Sequence, residues 1–136
     1  MAKDIFLLED DRRQAAAAIT VLENAGFEVR VERDVQMATG YLIRQSRYEF
    51  AAILTDGQLG PGQNDTGMFF IRTLTALTKR YNALPFIGGS ASTGFWDGFV
   101  PKNVAFHRID KVWLGDYAGW DTTALLAKLA ELGVTP

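Results

Sequence analysis

Cysteine is absent from this chain, which excludes a disulfide framework, a thiolate metal site and a cysteine nucleophile together. A reducing compartment fits that absence, and a cytoplasmic location is expected. Histidine occurs once, as His107, and a lone imidazole is more often a packed or surface residue than a catalyst. No chemistry is assigned to it. An excess of one charge is missing as well: 14 Lys and Arg stand against 16 Asp and Glu, a net charge of -2. Binding to a phosphate backbone needs clustered basic residues, and without such a run no nucleic-acid partner is expected. Long apolar runs are also lacking. The stretch Ile5–Leu8 is too short for a signal sequence or a membrane span, so no membrane association is expected. Finally, no segment is rich enough in Pro, Gly or Ser to be a linker, and no repeat of solenoid or propeller period occurs.

What is present is the composition of an ordinary folded domain. With 136 residues, 48% of them hydrophobic and 22% charged, the chain can bury one core and is too short for two. A single domain over residues 1–136 is expected, with no output domain after it.

Short apolar runs alternate with amphipathic stretches, the pattern of a parallel sheet with crossover helices. The runs are Ile5–Leu8, Phe27–Val31, Phe50–Leu54, Leu84–Gly88 and Val104–Ile109. Several are continuous rather than alternating, as befits strands covered on both faces. Between them, a first helix is predicted over Arg12–Ala25, its apolar stripe drawn from Ala16, Ile19 and Leu22 with Ala15 and Val21, and Gly26 as its stop. Asp34 is the expected N-cap of a second helix reaching about Gln45, with Val35, Ala38, Tyr41 and Leu42 near helical spacing. A third helix is predicted from Gly67 to Tyr81 and a last one from Thr122 to Leu132. Over Ala91–Asn103 the apolar residues Phe95, Trp96, Phe99 and Val100 are interrupted by Gly94, Gly98 and Pro101, which predicts only a short fourth helix.

In open parallel sheets ligands bind beyond the C-terminal strand ends, and those positions here are rich in chemistry. The first run is followed by Glu9, Asp10 and Asp11, the third by Asp56, the fourth by Ser90, and the fifth by Asp110 and Lys111. Carboxylates converging on one edge raise one another's pKa values unless a cation neutralises them. A hard divalent ion such as Mg2+ suits oxygen ligands and leaves positions for phosphate oxygens. Each residue also has a plainer reading. Asp56 alone would suit a turn after a buried strand, and the acidic run Glu9–Asp11 would suit a helix start, the whole role expected of Asp11. Ser92 and Thr93 rival Ser90 as hydroxyls and as N-caps. Lys102 competes with Lys111, although only Lys111 closely follows an apolar run.

Acidic pair, strand-end Asp, strand-end Ser followed by Ala, then strand-end Lys: over almost the whole chain this order resembles the receiver domain of response regulators. The resemblance implies a flavodoxin-like, doubly wound α/β fold, (βα)5, with five parallel strands in the order 2-1-3-4-5. It implies that Glu9 and Asp10 bind the metal, Mg2+ or Mn2+, together with Asp56 and the backbone carbonyl of Gln58. Asp56 is then the phosphoacceptor, Ser90 the switch hydroxyl and Lys111 the ammonium that neutralises phosphoryl oxygens. The implied partners are a histidine kinase or histidine phosphotransfer protein, a downstream protein, and a second copy through the face of the fourth helix, fifth strand and fifth helix.

The chain also departs from that pattern. Val112 follows Lys111 where the family usually has proline, and Arg108 stands where an aromatic usually reports the switch. The loop after Asp56 is about three residues longer than usual before Gly67 and carries an extra acid, Asp65. Gly88 and Gly89 either ease movement of Ser90 or mark an irregular strand end.

A stand-alone receiver, phosphorylated on Asp56 and signalling through altered partner binding, is therefore the expected function; its catalysis is confined to its own phosphorylation and dephosphorylation. Gln58 and Ser92 sit where they can orient water against an acyl phosphate, which predicts slow self-hydrolysis. Its alternative is a pseudo-receiver of the same fold, an interaction module that no longer uses phosphorylation. A phosphohydrolase with Asp56 as nucleophile ranks below both, because Gly57 and Gln58 offer no strong second acid or base.

Overall fold

The computed structural model describes residues 4–45, 50–92 and 94–136. Its elements follow in the order β1 (Asp4–Leu8), α1 (Arg12–Asn24), β2 (Glu28–Glu32), α2 (Val35–Arg44), β3 (Phe50–Asp56), α3 (Gly67–Leu77), β4 (Pro85–Ser90), β5 (Ala105–Trp113), β6 (Ala118–Trp120) and α4 (Thr122–Glu131). The strands form one sheet in the order β2-β1-β3-β4-β5-β6. Its first five members are parallel, as expected of a doubly wound α/β domain, and β6 is an antiparallel addition on the far side of β5.

The continuous apolar strands are explained by burial on both faces. Along β1, Ile5 and Leu7 point into one core with Ala15, Ala18, Leu22, Ile87, Trp120 and Leu125. Phe6 and Leu8 point into the other, with Val35, Leu42, Ile53, Phe70, Phe86 and Trp96. All four β1 side chains from Ile5 to Leu8 are 0% exposed, and each contributes about 1.5–3 kcal/mol of transfer free energy. The helices start where short polar residues satisfy their first N–H groups. Asp11 accepts from the N–H of Arg13 at 2.8 Å, and Asp34 from that of Met37 at 2.8 Å. Past the end of α1, Gly26 takes φ +104°, a conformation that other residues rarely adopt.

The structure corrects several expectations. Of the expected α1 stripe, Ala15 and Leu22 are buried and Ile19 and Val21 pack half-buried against the same core, whereas Ala16 is exposed and Ala18 is buried in its stead. Helix α3 stops at Leu77 rather than Tyr81, because Thr78 is extended at φ -151°. Tyr81 is instead tied to α2, its hydroxyl donating to the Leu42 carbonyl. Among the described residues of 91–103 there is no fourth helix, only bends and turns. Gly94 and Gly98 take φ +82° and +75° there, and Phe95, Trp96 and Phe99 are held by ring contacts with one another and with Phe106. Aromatic plugging replaces helical packing. The predicted fifth helix is thus the fourth observed, and the fifth strand runs on to Trp113 because it gains β6 as a hairpin partner.

Among the described residues no helix is long and apolar enough to cross a membrane.

Candidate functional site

Parallel pairing sets the strand ends level. Leu8 of β1 lies beside Thr55 of β3, and Asp56 beside Gly89 of β4; Ser90 then lies beside Asp110 of β5. The next residue along each strand therefore reaches the same edge. Carboxylate oxygens of Glu9, Asp10 and Asp56 all lie within 4.8 Å of one another. Glu9 is 0% exposed and Asp56 8%, whereas Asp10 is exposed and stands at the mouth.

Lys111 closes this acidic cleft. Its side chain is 2% exposed, and its Nζ lies 2.8 Å from Glu9 Oε1 and 2.8 Å from Asp56 Oδ1. The ammonium also donates to Gln14 Oε1 of α1. Lys111 belongs to β5 rather than to a loop, and its partner across the hairpin is Trp120. The indole N–H of Trp120 donates to Glu9 Oε1 at 2.9 Å. Asp56 Oδ1 accepts in addition from the N–H of Gly57 at 2.8 Å.

Burial dominates the electrostatics of both inner carboxyls. It pushes Glu9 up to about 7, against the opposing pull of Lys111 and with a smaller upward push from Asp56. Asp56 is raised by the same cause, with Lys111 and the Gly57 N–H acting against it. One ammonium among three carboxylates leaves the fully ionised cleft with excess negative charge, and two of those groups resist ionising there. Such a donor set fits a small divalent cation, which prefers carboxylate oxygens and offsets the missing charge. Gln58 faces Thr66 across an isolated bridge. The hydrogen bonds of that bridge come from its neighbours, Leu59 N–H to Asp65 and Gly67 N–H to Gly57, each at 2.8 Å, so they do not use the Gln58 carbonyl.

Ser90 is buried at 8% exposure, but its hydroxyl serves its own loop. It accepts from the Ser92 N–H at 3.0 Å and donates to the Ser92 carbonyl at 3.3 Å. Thr93, the other rival hydroxyl, lies outside the described residues. Lys102 lines a shallow groove with Arg72, Thr75 and Val100, not the acidic cleft. Arg108 is exposed and paired with Asp97.

Gln14 and Trp120 are the site residues that sequence reasoning missed, and for Gly88 and Gly89 it missed the packing role. A Cβ on Gly88 would come within 2.6 Å of Trp96, and one on Gly89 within 2.7 Å of Trp120. These glycines therefore admit one indole on each face of β4. Trp120 offered only an aromatic side chain just before the last predicted helix, and Gln14 only its place in the first turn of a helix.

No protein-family model matches the chain, and no curated protein sequence does. Solved structures do. The chemotaxis response regulator CheY4 of Vibrio cholerae superposes with a TM-score of 0.76 at 16% identity, covering 97% of this chain and 99% of that one. The chain has the receiver-domain fold. A signal receiver domain of an HD domain-containing protein from Pseudomonas fluorescens Pf-5 gives 0.72 at 15% identity, over 96% of this chain and 94% of the other. The phosphorylated cyanobacterial phytochrome response regulator RcpA gives 0.69 at 19%, over 97% and 91%. Beyond the five parallel strands expected from the sequence, the sheet carries the antiparallel β6.

Proposed function

We propose that residues 1–136 act as one receiver domain that accepts a phosphoryl group on Asp56 from a phosphohistidine donor, a histidine kinase or histidine phosphotransfer protein. One observation carries the reading: a strand-end carboxylate, Asp56, is held 2.8 Å from a buried ammonium and within 4.8 Å of two further carboxylates. In the proposed reaction an Asp56 oxygen attacks phosphorus and forms the new P–O bond, while the P–N bond of the donor breaks and its electron pair returns to the imidazole. Lys111 neutralises a phosphoryl oxygen as charge moves, and burial of Asp56 slows the approach of water to the acyl phosphate. Glu9, Asp10, Asp56 and the Gln58 carbonyl would hold Mg2+ or Mn2+, which supplies the remaining positive charge. For Ser90 to reach the phosphoryl group, its hydroxyl must leave Ser92. That exchange is the proposed switch. Gln58 and Ser92 are the proposed residues that orient water in slow self-hydrolysis.

The downstream partner, and a second copy where one forms, are assigned to the face of β5, β6 and α4. The face expected from the sequence included a helix between β4 and β5, which is absent among the described residues of 91–103. Trp113, 76% exposed, is the largest apolar side chain offered there.

Intact mass after incubation with acetyl phosphate and Mg2+ tests this reading. One phosphoryl adduct is expected on the wild type and none on Asp56→Asn or without metal. A second reading, the pseudo-receiver, is favoured by the bridge that Lys111 already makes between Glu9 and Asp56. No adduct on folded, metal-binding wild type would decide for it.

A further inference from the structure

We propose that Gln14 is a positioning residue for phosphoryl transfer, acting through Lys111. This rests on the phosphoacceptor reading above and extends it to a residue outside the acidic cleft.

An ammonium has three donors and no acceptor. Lys111 aims its donors at Glu9, Asp56 and Gln14, so each has one acceptor. Two of those acceptors are the carboxylates that must turn to other partners once a phosphoryl group and a cation arrive. Gln14 is the one that need not change. Its carbonyl is neutral, so it holds the ammonium without dividing its charge, whereas a glutamate there would add a fourth carboxylate to the cleft. The backbone of Gln14 is itself fixed, because its N–H donates to the capping carboxylate of Asp11 at 3.2 Å.

Trp120 does the matching work on the other side. It pairs with Lys111 across the hairpin, its N–H holds Glu9 at 2.9 Å, and Lys111 Nζ lies 5.2 Å from its ring centroid. Gln14, Lys111, Glu9 and Trp120 thus form one connected circuit from α1 to β6. Such a circuit can fix a lysine in a chain where Val112, not proline, follows it. When Lys111 swings toward a phosphoryl oxygen, Gln14 keeps hold of the ammonium and Trp120 keeps hold of Glu9. Restricting the ammonium to a small arc is what turns a nearby charge into an oriented one.

The test is Gln14→Met, which keeps the length and removes the carbonyl, measured beside wild type and Lys111→Ala. With acetyl phosphate and Mg2+, the maximal rate of adduct formation is expected to fall about tenfold, the usual scale for losing a partner that orients a site residue. The half-saturating acetyl phosphate concentration and the Mn2+ affinity by calorimetry are expected to stay within about twofold, since Gln14 touches neither donor nor metal. On the metal-free, unphosphorylated protein, the 15N-detected Lys111 ammonium signal should be resolved in wild type and broadened by solvent exchange in the variant. Equal labelling rates for wild type and Gln14→Met, with Lys111→Ala impaired, would overturn the positioning role and leave the phosphoacceptor reading standing. A wild type that takes no adduct overturns both. A fall in Mn2+ affinity matching the fall in rate would also overturn it, because the residue would then act on the metal site.

Discussion

The Trp120 indole packs against Gly89, so close that a Cβ on the glycine would meet ring carbons at 2.7 Å. This contact links the two edges of the site, since Gly89 pairs with Asp56 and Trp120 bonds to Glu9. Alanine at this position would gain roughly 0.4–1 kcal/mol from a stiffer unfolded chain but lose about 1–3 kcal/mol to overpacking. Gly89→Ala is therefore expected to lower stability by about 1–2 kcal/mol on balance. The change should also shift Trp120 emission as the indole is pushed off Glu9. Urea denaturation followed by fluorescence checks both, and an unchanged midpoint would show that the ring has room to retreat.

Removing the ammonium should separate its two roles. In Lys111→Met the three carboxylates lose their fixed countercharge, and a divalent cation no longer competes with it. Unit charges about 4 Å apart interact by roughly 4 kcal/mol at an effective dielectric near 20, and relaxation consumes much of that. Mn2+ is expected to bind about tenfold more tightly, while adduct formation slows about 100-fold, as when one donor to a developing anion is lost. Calorimetry and intact mass measure the pair of effects. Weaker metal binding in the variant would mean that Lys111 shapes the cation site instead of competing for it.

Glu9 should leave a signature in the pH dependence of stability. Its pKa is raised by burial from the ordinary 4.5 to about 7, so the folded state binds a proton more tightly than the unfolded state does. Its contribution is fully present below about pH 4.5 and is lost as pH rises through about 7. At about 1.4 kcal/mol per pKa unit the effect is at most a few kcal/mol. In EDTA, the stability of wild type relative to Glu9→Gln should fall over this window, and Mg2+ should reverse the fall by favouring the ionised form. A flat difference between the two proteins from pH 4.5 to 7.5 would contradict the raised value.

The strands and the acids at their ends were legible because they follow from local composition. A strand covered on both faces must be apolar throughout, as in Ile5–Leu8, and residues that end such a run lie at a sheet edge whatever follows. Once the strands are parallel, Glu9, Asp56 and Lys111 have no other edge to occupy. Helix caps such as Asp11 and Asp34 were legible for the same local reason.

The exact limit of a helix's buried face was less legible. Ala16 and Ala15 are chemically alike, and only the packing of α1 on the sheet decides which is buried. The segment after Ser90 was misread because helical periodicity in its aromatics competes with Gly94 and Gly98, and contacts with Phe106 settled the competition.

Sequence by itself determined the doubly wound order of elements, the edge on which chemistry gathers and the residue types that gather there, because strand burial and strand-end position are written in runs of four to seven neighbouring residues. Only the tertiary structure decided that Lys111 lies in a hairpin, that Trp120 and Gln14 hold it against Glu9, and that Gly88 and Gly89 exist to admit two indoles. The bonds from Lys111 and Trp120 to Glu9 and Gln14 join residues about a hundred positions apart, and a hydrogen bond or a close ring contact depends on angles and tenths of an ångström that no local pattern encodes.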